Sequence, residues 1–104
     1  MKVNMLNNNK VDEVISLLKK EKKFLKKKYK VNEIGIFGSY VRGEQEADSD
    51  IDILIDKDEA IGLLKLANLQ NYLSSLIGIR VDLVIKKSLK PQIGRNILKE
   101  VIYV

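Results

Sequence analysis

Apolar residues recur at Val11, Val14, Ile15, Leu18, Leu25 and Tyr29, the spacing of one helix face, with a break at Lys22. This rhythm predicts a helix over 10–29, with Asn9 as its N-cap. Asp12 in the first turn and the lysines near the end both suit the helix dipole. The rhythm then changes. "NEIGIF" (32–37) is short, β-branched and followed by Gly, so it reads as a strand running into a turn. "SDIDILID" (49–56) alternates, with Ile51, Ile53 and Ile55 on one side and Asp50, Asp52 and Leu54 on the other. Asp58 is placed to cap a second helix whose Leu66, Leu69, Leu73 and Leu76 share a face and which stops at Gly78. "IRVDLVI" (79–85) reads as a third strand, with Asp82 on the face opposite Val81 and Leu83. Pro91 opens a last helix that uses Ile93, Ile97, Leu98 and Val101.

The predicted order is α-β-(short helical turn)-β-α-β-α. Few strands with helices on one side describe an α/β or α+β two-layer domain around a small sheet. A chain of 104 residues fits a single domain, 1–104, and 45% apolar residues suffice for one core. No apolar run approaches the roughly 20 residues that span a bilayer. The opening "MKVNMLNNNKVDEV" lacks the apolar region of a secretory signal, so the expected location is cytoplasmic.

Charge is unevenly distributed. The segment 19–30, "KKEKKFLKKKYK", carries eight Lys and one Glu, a local +7 against +5 for the whole chain, which leaves the remainder at −2. This is a near-neutral domain with one basic helix end. The block reads first as a solvated helix face and second as an attractor of nucleic acid or an acidic partner.

There is no Cys and no His. Disulfides and thiolate metal sites are excluded, and base chemistry near neutral pH has to come from carboxylates, lysines or metal-bound groups. Asp50 and Asp52 are spaced to share one face of one strand, and Asp82 interrupts an otherwise apolar strand. Burying a carboxylate among Val and Leu costs several kcal/mol unless it is paired or bound to metal. Oxygen ligands alone suit Mg²⁺, with Mn²⁺ as the alternative, rather than Zn²⁺. Gly38 lets the backbone turn tightly after a strand, Ser39 offers a hydroxyl, and Arg42 stands one turn on as a positive contact for the same anion. Taken singly, each feature has a plain alternative: a simple turn, a polar strand entrance, or an edge residue facing water. In this order, phosphate donors on one side and acids for two metal ions on the other describe a nucleoside triphosphate site.

The stretch "GSYVRGEQEADSDID" resembles the signature of the DNA polymerase β-type nucleotidyltransferases: Gly38-Ser39, ten residues, then Asp50-Ile51-Asp52. Arg42-Gly43 and the "SDID" context are similar to the minimal nucleotidyltransferase (MNT) group, and "VDLV" with Asp82 matches the family's third carboxylate. The resemblance covers essentially the whole chain. It implies a polymerase β-like fold, a small mixed sheet with helices mainly on one face. It also implies that Gly38, Ser39 and Arg42 bind the triphosphate of ATP or another NTP. Asp50, Asp52 and Asp82 would be the catalytic, metal-binding acids. MNT proteins are commonly antitoxins of HEPN-type ribonuclease toxins, and some attach AMP units to a toxin tyrosine. The expected function is therefore Mg²⁺-dependent transfer of a nucleoside monophosphate to a partner toxin. Neutralisation by binding alone is the first alternative, and transfer to a small molecule or an RNA end is the second. After one sheet and its helices, little chain remains for an acceptor domain, so the acceptor surface is expected on another chain.

Overall fold

The computed structural model describes residues 2–58 and 60–104. Its elements are α1 (Lys2–Tyr29), β1 (Val31–Phe37), α2 (Ser39–Arg42), β2 (Ile51–Lys57), α3 (Leu63–Ile77), β3 (Val81–Ile85), a single 3₁₀ turn (Lys86–Ser88), α4 (Pro91–Glu100) and β4 (Ile102–Tyr103). The four strands form one mixed sheet in the order β3-β2-β1-β4. β1 runs antiparallel to both β2 and β4, and β2 runs parallel to β3 with α3 as the crossover.

Alternation along β2 decides which face is which. Ile51, Ile53 and Ile55 are fully buried against Val14, Leu18 and Leu25 of α1 and Leu69 and Leu73 of α3, joined by Ile34 and Ile36 of β1. Each such side chain contributes about 1.5–3 kcal/mol when taken out of water. The even-numbered positions, Asp52, Leu54 and Asp56, therefore point to the other side of the sheet. That second side carries the acids.

Several sequence expectations are corrected. No Gly or Pro interrupts residues 2–9, and α1 starts at Lys2, so Asn9 lies inside the helix instead of capping it. α3 starts at Leu63 with Gly62 at its cap position and no side-chain cap, so Asp58 is too far upstream to serve. Its buried stripe runs Leu69, Leu73, Ile77, and Leu76 is only half-buried. The third strand is shorter than expected, because Ile79 and Arg80 precede it in the loop after Gly78.

The C-terminal segment departs furthest. α4 ends at Glu100, and Val101 turns extended (φ −62°, ψ 136°) to lead into β4. Gly35 makes this possible. A Cβ there would lie 2.6 Å from Cγ2 of Val101 and 3.0 Å from the carbonyl oxygen of Ile102, so only a bare backbone admits β4 alongside β1. Val101 thus packs on the sheet rather than extending the helix face. Ile93 and Leu98 of α4 stay 55% and 45% exposed.

Candidate active site

β1 ends by delivering Gly38 to the acid-bearing face. Gly38 has φ +85° and ψ −153°, a conformation open essentially to glycine alone. Its carbonyl accepts hydrogen bonds from the N–H groups of Val41 and Arg42, each at 3.1 Å, which winds the single helical turn α2. Gly43 in the left-handed region closes that turn. Ser39 opens α2, half-buried, and Tyr40 behind it is buried in the core. The tight turn expected after the strand is present, with Gly38 at its head.

Phe37, Asp52 and Asp82 stand opposite one another across three adjacent strands, Phe37 with Asp52 antiparallel and Asp52 with Asp82 parallel. Residues in register on neighbouring strands share a face, so the two carboxyl groups meet side by side. Burial, then the adjacent charge and hydrogen bond of Asp82, then the charge of Asp50, push Asp52 up to about 6, against a small opposing pull from Arg42. A Cβ at Gly38 would lie 2.0 Å from Oδ2 of Asp52, so the bare turn and the acid share one space. These residues line a cleft of about 330 Å³ with Phe37, Arg42, Ile97 and Glu100. A larger hollow of about 570 Å³ along α1, beside Ser16 and Lys20, lies away from these acids, so the chemistry selects the smaller cleft.

Asp50 stands differently. β2 begins at Ile51, so Asp50 lies in the loop just before the strand and not within it. The N–H of Ile51 donates to the carbonyl of Arg80 at 2.9 Å, and Arg80 Nε donates to Asp50 Oδ1 at 2.7 Å. This correction has a simple cause: an arginine 30 residues away claims the carboxylate. No cluster of three or more acids is arranged to hold a metal among the described residues. Asp52 and Asp82 are brought together, and Asp50 acts on Asp52 through its charge.

Arg42 is also engaged. Its Nε donates to Glu44 at 2.9 Å, and its Nη1 donates to both oxygens of Glu100 at 2.8 and 3.0 Å. Those bonds raise the guanidinium further above its ordinary value, with Glu44 first and Glu100 second. Glu100 also accepts the Gly38 N–H at 2.7 Å. Partial burial works to raise Glu100, but Arg42 and the Gly38 N–H outweigh it and hold the carboxyl below its usual range. Glu100 and Arg80 escaped sequence reading. Each acts across a long separation, and nothing local marks either one.

The donor set fits a hard divalent cation. It offers crowded carboxylates, no softer ligand, and a half-buried acid whose proton affinity is raised by that burial and then by its neighbours. Asp52 and Asp82 would hold such an ion, with Asp50 joining once released from Arg80.

An acid pair facing a glycine turn with an arginine beside it, on a mixed sheet, is an arrangement suited to phosphoryl chemistry. The chain belongs to the nucleotidyltransferase domain family, whose model matches residues 18–104, and it is a nucleotidyltransferase. That family uses divalent metal ions. The chain is 52% identical over 94 residues to protein adenylyltransferase MntA of Thermococcus cleftensis, covering 90% of this chain and 95% of that protein. It is 54% identical over 95 residues to a Methanocaldococcus jannaschii protein provisionally named as a protein adenylyltransferase, covering 90% and 97%. Among solved structures, one assigned as a minimal nucleotidyltransferase superposes with TM-score 0.65 at 32% identity, over 98% of this chain and 95% of that one. A toxin–antitoxin complex with AMP-PNP superposes with TM-score 0.67 at 26% identity, over 89% and 70%. No helix among the described residues is long and apolar enough to cross a membrane.

Proposed function

We propose that this chain transfers AMP from ATP to a hydroxyl group of a partner toxin of the HEPN type, and so acts as an antitoxin in the cytoplasm. The carrying observation is the in-register pair Asp52–Asp82 beside the Gly38 turn. The similarity to protein adenylyltransferases and to a toxin–antitoxin complex with AMP-PNP supports the choice of nucleotide and partner. One sheet and one apolar cluster support reading residues 1–104 as a single domain.

In this reading the Gly38 N–H and the Arg42 guanidinium donate to phosphate oxygens, with Ser39 beside them. Mg²⁺, bound by Asp52 and Asp82 and then Asp50, with a second ion completing the set, would neutralise charge on the phosphates. The acceptor oxygen bonds to the α-phosphorus, the bond to the bridging oxygen breaks, and pyrophosphate leaves. Asp82 lies exposed on the edge strand β3, where an acceptor from another chain has access, and it takes the hydroxyl proton. The exposed Ile93 and Leu98 of α4 give such a chain an apolar surface near the cleft. Nucleic acid stays a secondary reading for the Lys block.

The test is label transfer from radiolabelled ATP to the purified toxin in Mg²⁺, comparing wild type with Asp52→Asn and Asp82→Asn. Transfer by wild type and none by either variant is the expected result. A variant that still labels the toxin would sink the reading. Variants that lose labelling yet still protect cells would favour neutralisation by contact alone.

A further inference from the structure

We propose that the Glu100 carboxylate is a built-in occupant of the phosphate donors, so that the nucleotide triphosphate binds by displacing it. The inference rests on the proposed nucleotidyl transfer and assigns a role to a residue outside the family-like signature.

The geometry is that of an anion in its site. Oε2 of Glu100 accepts from the Gly38 N–H at 2.7 Å and from Arg42 Nη1 at 3.0 Å, and Oε1 accepts from the same Nη1 at 2.8 Å. A backbone N–H and a guanidinium converging on one oxygen are the donors a phosphate oxygen seeks. The two donors sit four residues apart on the turn, whereas their acceptor comes from the far end of the chain, 58 residues beyond Arg42. The tertiary structure brings it there. α4 ends at Glu100, and β4, two residues on, is pinned to β1 just before Gly38.

This contact differs from a chance surface pair in three ways. The Glu100 side chain is 24% exposed, against 46% for Arg42, so the carboxylate sits inward of its partner. Its second donor is a backbone N–H of the turn itself. It also lines the same cleft as Asp52, so a triphosphate seated there would meet a fixed negative charge. Gly38 has a single N–H, and Glu100 already holds it at 2.7 Å, so a phosphate oxygen cannot take the same donor while Glu100 stays. Either Glu100 swings out or the phosphate stays out. Swinging out is feasible because Glu100 is the last residue of α4, and its side chain can turn to solvent without unwinding the helix.

The experiment measures the affinity of ATP with Mg²⁺, of inorganic pyrophosphate and of adenosine by calorimetry, for wild type, Glu100→Gln and Glu100→Ala. Label transfer to the toxin is recorded in parallel, and melting curves check the fold. Glu100→Gln keeps the side-chain shape and removes the competing charge. The expected result is that both variants bind ATP and pyrophosphate about fivefold to tenfold more tightly, the range for a partly exposed charge-assisted contact. Adenosine binding stays unchanged. If wild type labels the toxin but neither folded variant binds ATP or pyrophosphate more tightly, Glu100 only braces the turn. The inference then fails while the proposed function stands. If wild type neither binds ATP nor labels the toxin, the function fails and the inference with it.

Discussion

Gly38 and Asp52 occupy one another's space: a Cβ on Gly38 would lie 2.0 Å from Oδ2 of Asp52. The glycine also holds φ +85°, which an L side chain rarely adopts. Gly38→Ala therefore costs about 1–3 kcal/mol in backbone strain and forces the Asp52 carboxyl out of place. Chemical denaturation and label transfer check this together. An alanine variant as stable and as active as wild type would remove the argument that turn and acid form one unit.

Asp52 reaches about 6 in the folded chain against an ordinary 3.8. Because the folded value is raised, its contribution to stability is fully present below about pH 4 and is lost as pH rises through about 6. Asp52→Asn consequently stabilises the metal-free protein at pH 7 by about 1 kcal/mol, discounted for the solvent that still screens this half-buried carboxyl. The advantage over wild type shrinks toward pH 4. Melting temperatures measured from pH 4 to 8 in chelator give the curve, and a constant offset across that range would contradict the assignment.

Added Mg²⁺ raises the melting temperature of wild type and not of Asp52→Asn, since a ligand that binds only the folded state stabilises it. Arg80→Gln frees Asp50 and strengthens the Mg²⁺ response several-fold. Without metal its melting temperature stays near wild type, because the Asp50–Arg80 pair is largely exposed. An unchanged Mg²⁺ response in Arg80→Gln would leave Asp50 out of the metal site.

Leu73 is fully buried between α3 and the sheet. Leu73→Ala costs about 2–5 kcal/mol through lost burial and the cavity left behind. Urea denaturation measures it directly. A loss below about 1 kcal/mol would mean that α3 collapses easily onto the sheet.

The elements that read well carry their own period. Ile51, Ile53 and Ile55 alternate, and α1 repeats its apolar face, because burial on one side acts residue by residue along the chain. The Gly-Ser turn and Asp82 read well for the same reason, as local departures from such a period. Helix ends were less legible. Asn9 and Asp58 have good capping chemistry, but α1 simply continues past Asn9, and α3 waits for Gly62. β4 was invisible because two residues hold no period, and its existence depends on the bare backbone of Gly35.

Sequence alone determined the three long helices and the first three strands, the glycine turn, the three acids and their lack of softer metal ligands, since each of these is a property of neighbours along the chain. Only the tertiary structure decided that Asp52 and Asp82 stand in register, that Arg80 holds Asp50 and that Glu100 sits on the Gly38 and Arg42 donors. Those contacts join residues about 30 to 60 positions apart, and their geometry comes from strand pairing and packing, which no local pattern encodes.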